Sequence, residues 1–206
     1  MSKTVEIFFD FMSPPSYLAW TQMPGIAART GAEIKYRPMY TIGLHDIVGN
    51  QSPIMVPNKG KWISSDLQRY ARSYGVTLNM NLNGFIKIVP ASRAATLAEQ
   101  EGDLEKLMAV IFPAMFVEGL NLSDLKVVGE LIAKAGLDST RYLDAIKTDE
   151  VKALLKQNTQ EAADRGAFDA PTFFIGETMH FGQDRLHFVE QDLGKVTGAH
   201  AHSARV

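Results

Sequence analysis

Ser13-Pro14-Pro15-Ser16 stands between an apolar run, Val5-Glu6-Ile7-Phe8-Phe9-Asp10-Phe11, and a stretch of helical character from Tyr17 to Thr30. A strand that ends in a short turn and opens straight into a helix leaves free N–H groups and the positive end of a dipole aimed at one spot. That spot suits an anion, and a thiolate is an anion. The chain contains no cysteine, so it forms no disulfide, and a thiol working at this turn comes from outside. Ser13 itself reads in two ways. Followed by two prolines it is an N-cap, a common helix start. Its hydroxyl is a poor nucleophile without a base, and no Ser-His-Asp arrangement is evident. Its chemical use is as a hydrogen-bond donor to an incoming thiolate. Only a few per cent of an ordinary thiol is ionised at neutral pH, and lowering its pKa by roughly two units, worth about 2.7 kcal/mol, makes most of it reactive.

Other positions also carry two readings. Gly182-Gln183-Asp184-Arg185 places an Asp near a helix start, where it aids the dipole and can otherwise be silent. Alternatively it offers helix amides to a carboxylate and Asp184 to an ammonium, the two groups of a γ-glutamyl end. Asn50 and Lys59, in and after a stretch rich in Gly, Pro and Asn, read from the residues alone as solvated side chains. The Met- and Phe-rich run Leu107–Phe116 reads as core, with some of it facing a cleft between lobes. His200-Ala201-His202 is a weak metal signal and is discounted.

The elements that must position these groups follow from periodicity and punctuation. Strand 5–11, a turn at 12–15 and a helix near 16–30 lead to Gly31, a C-cap. Residues 32–39 alternate and form a second strand, so the start is β-α-β with a right-handed crossover. The stretch 41–58 reads as an irregular loop. Helices are expected near 59–74, 90–101, 103–118, 123–135, 139–147 and 149–165, punctuated by glycines. Strand character returns at 171–175 and 179–181 around Gly176-Glu177, a hairpin, and a final helix covers 183–193. The order β-α-β, helical block, β-β-α makes this an α/β protein: a thioredoxin-like scaffold, residues 1–45 and 167–196, interrupted by an all-helical insertion, 46–166. The tail 197–206 is expected to be disordered. In such a scaffold Pro171 matters. A proline at this point can simply start an edge strand, but the one opening the third strand is usually cis. It leaves the N–H and C=O of Ala170 exposed beside the turn, where a peptide-like ligand pairs like an added strand.

With 206 residues, 46% hydrophobic and 21% charged, the chain has the make-up of a soluble globular protein. Its formal charge is −2 with no basic block, so nucleic-acid binding is not expected. No apolar run reaches membrane-spanning length, and no signal-peptide pattern opens the chain. The absence of cysteine removes structural disulfides and Cys-based zinc sites. A cytoplasmic or organellar compartment is expected.

On four motifs the chain resembles the 2-hydroxychromene-2-carboxylate isomerase family, related to kappa-class glutathione transferases. These are Phe8-Phe9-Asp10-Phe11-Met12-Ser13-Pro14-Pro15-Ser16-Tyr17-Leu18-Ala19, Ala170-Pro171-Thr172-Phe173-Phe174-Ile175-Gly176, Phe181-Gly182-Gln183-Asp184-Arg185-Leu186, and Gly49-Asn50 with Asn58-Lys59-Gly60. The similarity runs from about residue 4 to 194, and Asp66-Leu67-Gln68-Arg69-Tyr70-Ala71 lies within it. The resemblance implies a glutathione-dependent enzyme, usually a homodimer, acting on a small aromatic substrate without a metal. Ser13 would activate the glutathione thiol, and Asn50 and Lys59 would line the cofactor and substrate cleft. Ala170 would pair through its backbone beside Pro171, and Gln183 and Asp184 would hold the γ-glutamyl group. Ala170 stands where the family commonly has a bulkier apolar residue. Arg93 is a candidate for the substrate carboxylate; its alternative is an ordinary helix-surface arginine.

Overall fold

The computed structural model describes residues 3–80 and 88–198. Strand β1 (Thr4–Phe9) is an almost continuous apolar run because both of its faces are covered, with Val5, Ile7, Phe8 and Phe9 all buried. It stops two residues sooner than the apolar pattern suggests. Asp10 Oδ1 accepts from Met12 N at 3.0 Å, and Ser13 N donates to Asp10 O at 3.0 Å. An Asp side chain that closes a turn on its own backbone competes with the ladder. Helix α1 (Pro14–Thr30) follows at once, starting two residues earlier than expected and ending at Gly31 in a left-handed conformation. β2 (Glu33–Pro38) then pairs parallel with β1, from Thr4 opposite Glu33 to Phe9 opposite Pro38.

The segment expected as an irregular loop, 41–58, contains helix α2 (Thr41–Val48) and a 3-10 turn at Pro53–Met55. No side chain of its own caps α2. Instead Asp10 Oδ2, from the end of β1, accepts from Thr41 N at 2.8 Å. The cap is long-range, so a local reading cannot see it. Gly43, which lowered the helical signal, lies where a Cβ would come within 3.1 Å of Tyr40 Cδ1. Helix α2 also runs across the expected 45/46 boundary.

Every further described element before the sheet resumes is helical: α3 (Pro57–Tyr74), α4 (Val89–Glu101), α5 (Leu104–Phe116), α6 (Leu125–Lys134), α7 (Ser139–Ala145) and α8 (Asp149–Asp164). Strands β3 (Thr172–Ile175) and β4 (Thr178–Phe181) form the expected hairpin, and β3 lies antiparallel to β1. The sheet order is β2-β1-β3-β4. After a 3-10 turn at Gln183–Arg185, α9 (Leu186–Gly198) extends past the expected end at 193. The expected tail lies outside the described residues from 199 onward. Among the described residues no helix is long and apolar enough to cross a membrane.

Among the contacts that join the insertion to the scaffold, two groups stand out. Phe112 of α5 is fully buried, with ring centroids 4.9 Å from Phe11, 5.3 Å from Trp20, 5.8 Å from Phe9 and 5.9 Å from Tyr17. Leu107, Met108, Ile111, Phe112, Ala114, Met115 and Phe116 of the apolar run are core, and burying one such ring contributes about 2–3 kcal/mol. On the other side Arg37 of β2 meets Glu99 of α4 and Glu161 of α8, each at 2.7 Å.

Candidate functional site

Ser13 is the N-cap of α1: its Oγ accepts from Ser16 N at 3.1 Å. The same hydroxyl donates to the carbonyl oxygen of Ala170 at 3.0 Å, across 157 residues of sequence. The Ala170–Pro171 peptide is cis, as expected. The amino end of α1, however, does not offer the free amides that the strand–turn–helix pattern implies. Pro14 and Pro15 have no N–H, Ser16 N is taken by Ser13 Oγ, and Tyr17 N donates to Ser13 O at 3.1 Å. Met12 N and Ser13 N are held by Asp10. What remains is the helix dipole and the movable protons of two hydroxyls, that of Ser13 and that of the buried Ser16, whose Oγ accepts from Asp10 N at 3.5 Å.

Ala170 is likewise not left open. It is 3% exposed, its C=O accepts from Ser13, and its N–H donates to Asp169 Oδ1 at 2.8 Å. The expectation of an exposed backbone edge is corrected in this respect. A buried peptide group left without partners costs about 1–3 kcal/mol, so the free chain satisfies both groups from within.

From here contacts run in a line to the other predicted residues. Pro171 O accepts from Gly182 N at 3.1 Å, which places Gln183 and Asp184 beside the cis-proline. Gln183 is buried and its carbonyl accepts from Tyr74 Oη at 2.6 Å. Asp184 pairs with Arg185 at 2.6 Å. On the opposite flank Asn50 Nδ2 donates to Phe168 O at 2.8 Å, holding the loop that leads to Ala170. The fold thus brings together Ser13, Ala170, Pro171, Gln183, Asp184 and Asn50. Lys59 is exposed in the first turn of α3, and no contact of the described residues ties it to this line. Arg93 is half-buried rather than a plain surface arginine, and its Nη1 donates to Ile146 O at 3.3 Å, just beyond α7. That bond fastens it within the insertion.

Residue-by-residue reading missed what lies behind the turn. Asp10 is fully buried, and burial raises its carboxyl above the usual range, opposed by N–H bonds from Met12 and Thr41. Asp169 is raised in the same way, opposed by Ala170 N–H and by His45. His45 Nε2 lies 3.4 Å from Asp169 Oδ1 without an aligned hydrogen bond. The one sequence signal was an acid inside the apolar run Phe8-Phe9-Asp10-Phe11. Tyr74 was missed too. Burial first, then Tyr70 and Asp184, push its phenol up to about 12.

The family model of the DSBA-like thioredoxin domain matches residues 4–194. The chain belongs to that family. Within it the chain is 30% identical over 196 residues to 2-hydroxychromene-2-carboxylate isomerase of Sphingobium xenophagum, spanning 94% of this chain and 99% of that protein. It is 28% identical over 207 residues to glutathione S-transferase kappa 1 of Rattus norvegicus, spanning 94% and 92%. The solved structure of a 2-hydroxychromene-2-carboxylate isomerase superposes with a TM-score of 0.88 at 25% identity, covering 98% of this chain and all of that one. This DSBA-like chain therefore groups with the 2-hydroxychromene-2-carboxylate isomerases, with kappa glutathione transferases next. Its relatives bear the names of isomerases and transferases, so it is a member of an enzyme family.

Proposed function

We propose that the protein is a glutathione-dependent cis–trans isomerase acting on 2-hydroxychromene-2-carboxylate or a related aromatic α-keto acid. The observation that carries this reading is the Ser13 hydroxyl: one movable proton at the positive end of α1, 3.0 Å from the main chain of a cis-proline loop, in a chain with no thiol. A DSBA-like fold without cysteine has nothing to oxidise, which removes disulfide exchange by this chain. The same site suits a borrowed peptide thiol.

The residues present fit glutathione. Ser13 offers a hydroxyl at the amino end of α1, Ala170 supplies a main-chain carbonyl, and Gln183 and Asp184 follow through the Pro171–Gly182 contact. Bound glutathione would supply a nucleophilic sulfur that adds reversibly to a conjugated carbon, turning a double bond into a rotatable single one. Ser13 would keep the sulfur ionised by donating a hydrogen bond to it, its own proton staying on Oγ. Gln183 and Asp184 orient the γ-glutamyl end. Asn50 and Lys59 line the cleft, where a donor facing the substrate oxygen stabilises the charge that develops there. Arg93 is kept as a candidate for the substrate carboxylate, with Nη1 on Ile146 O and its other guanidinium donors left for that role. The homodimer implied by the family resemblance and the cytoplasmic setting expected from the sequence belong to the same proposal. Exposed Met55 and Trp62, at 68% and 60%, give apolar area that a second copy would cover.

Following the ultraviolet spectrum of 2-hydroxychromene-2-carboxylate with the protein, with and without glutathione, tests this reading. A change that needs both is expected, and no change with either removes the proposed substrate. The kappa relatives favour a second reading, a glutathione transferase acting on another electrophile. Consumption of glutathione, rather than its recovery after turnover, would select it.

A further inference from the structure

The Ser13 hydroxyl has a single proton, and in the free protein that proton is engaged. Oγ accepts from Ser16 N at 3.1 Å and donates to Ala170 O at 3.0 Å. To donate to a sulfur, Ser13 must leave Ala170 O. That departure strips a carbonyl in a residue only 3% exposed of its one described side-chain donor. Nearby backbone amides cannot replace it. Pro14, Pro15 and Pro171 have none, Ser16 N and Tyr17 N are held by Ser13, Met12 N and Ser13 N by Asp10, and Ala170 N by Asp169, while Asp10 N is turned to Ser16 Oγ at 3.5 Å. The replacement donor has to arrive with the ligand.

We propose that Ala170 O is an exchange point that makes thiol activation conditional on a main-chain amide in the ligand. When Ala170 O accepts an N–H from the residue that bears the thiol, Ser13 Oγ–H turns from Ala170 to the sulfur, and the thiol proton leaves to solvent. A thiol without such an amide meets a serine whose proton stays on Ala170. The substrate class of the thiol site is therefore peptide thiols with a free amide at the cysteine. Small thiols and N-alkylated ones are excluded by the loss of activation, not by shape. Asp169 supports the exchange by keeping Ala170 N–H occupied, so the ligand needs to satisfy only one group. This inference rests on the glutathione reading and adds the condition under which the serine acts.

The test compares glutathione with its analogue methylated on the cysteinyl nitrogen, each saturating the wild-type protein, with the thiolate absorbance followed against pH. The bound glutathione thiol is expected to ionise at a lower pH than the free one. The bound analogue is expected to ionise about one unit or more higher than bound glutathione, the size of an unsatisfied buried carbonyl. Equal lowering of both thiols overturns the exchange and leaves the glutathione reading intact. No lowering for glutathione itself overturns that reading, and the exchange falls with it. A crystal structure of the glutathione complex gives the second measurement. Ser13 Oγ should stand beyond hydrogen-bonding distance of Ala170 O, with the cysteinyl N–H in its place. A Ser13–Ala170 bond that survives in the complex refutes the proposal.

Discussion

Tyr74 Oη, near the end of α3, donates to the carbonyl oxygen of Gln183 at 2.6 Å and so holds the turn that carries Asp184. Because the insertion supplies this donor, the γ-glutamyl end of the proposed site depends on both parts of the chain. Tyr74→Phe removes the bond and leaves the Gln183 carbonyl short of a partner. The expected loss is about 1 kcal/mol of stability and roughly fivefold in glutathione affinity, read by urea unfolding and calorimetry. The same variant identifies the phenol that titrates late. The neutral form of Tyr74 is favoured by folding, so its contribution is fully present below pH 10.0 and is lost as pH rises through about 12. The phenolate absorbance missing in Tyr74→Phe should appear near the higher value; a midpoint near 10 would contradict the burial argument.

Ser13→Ala removes two bonds at once, the cap on Ser16 N and the contact with Ala170 O. A stability loss of about 1–2 kcal/mol is expected from the cap and the carbonyl together. Turnover should fall about a hundredfold or more, while glutathione affinity stays within a few-fold. Ser13→Thr keeps the hydroxyl and should recover most of the rate. Full turnover in Ser13→Ala would reduce the serine to a cap.

The outline of this fold was legible because its signals are local. Alternation marked β2, glycines marked the helix ends, and Gly176-Glu177 marked the hairpin. What escaped depends on contacts between distant segments. Helix α2 begins because Asp10 reaches Thr41 N from 31 residues away, and no window around Gly43 contains that carboxylate. The Asp10, His45 and Asp169 cluster draws on β1, α2 and the cis-proline loop. The shortage of donors at α1, by contrast, was open to reading. Pro14 and Pro15 bring no N–H, and counting the amides would have shown that Ser13 acts nearly alone.

Asp10 gives the protein a stability signature in acid. Its folded-state carboxyl is raised above 3.8 by burial, with Asp169 adding to the rise. A raised value means that the folded protein binds the proton more tightly than the unfolded chain. The resulting stability is fully present below pH 3.8 and is lost as pH rises through the folded value. The stability of the wild type relative to Asp10→Asn should therefore grow as pH falls from neutral toward about 4. Urea midpoints of the two proteins across that range decide it, and a gap that narrows in acid would mean the N–H bonds from Met12 and Thr41 outweigh burial.

Gly182 joins β4 to the turn that carries Gln183 and Asp184, with φ at +89°. A Cβ there would run into the Asp184 carboxylate as well as straining the backbone. Gly182→Ala should cost about 1–2 kcal/mol from the backbone alone and displace Asp184 from its place beside Arg185. Gly176→Ala is the matched control. Its φ is +58°, with nothing within 4 Å of the added carbon, so it carries a similar backbone cost away from Asp184. If Asp184 holds the γ-glutamyl ammonium, glutathione affinity drops about tenfold in Gly182→Ala and stays near wild type in Gly176→Ala, both measured on folded protein by calorimetry. Equal affinities in the two variants would place the ammonium elsewhere and leave Asp184 as a partner of Arg185 alone.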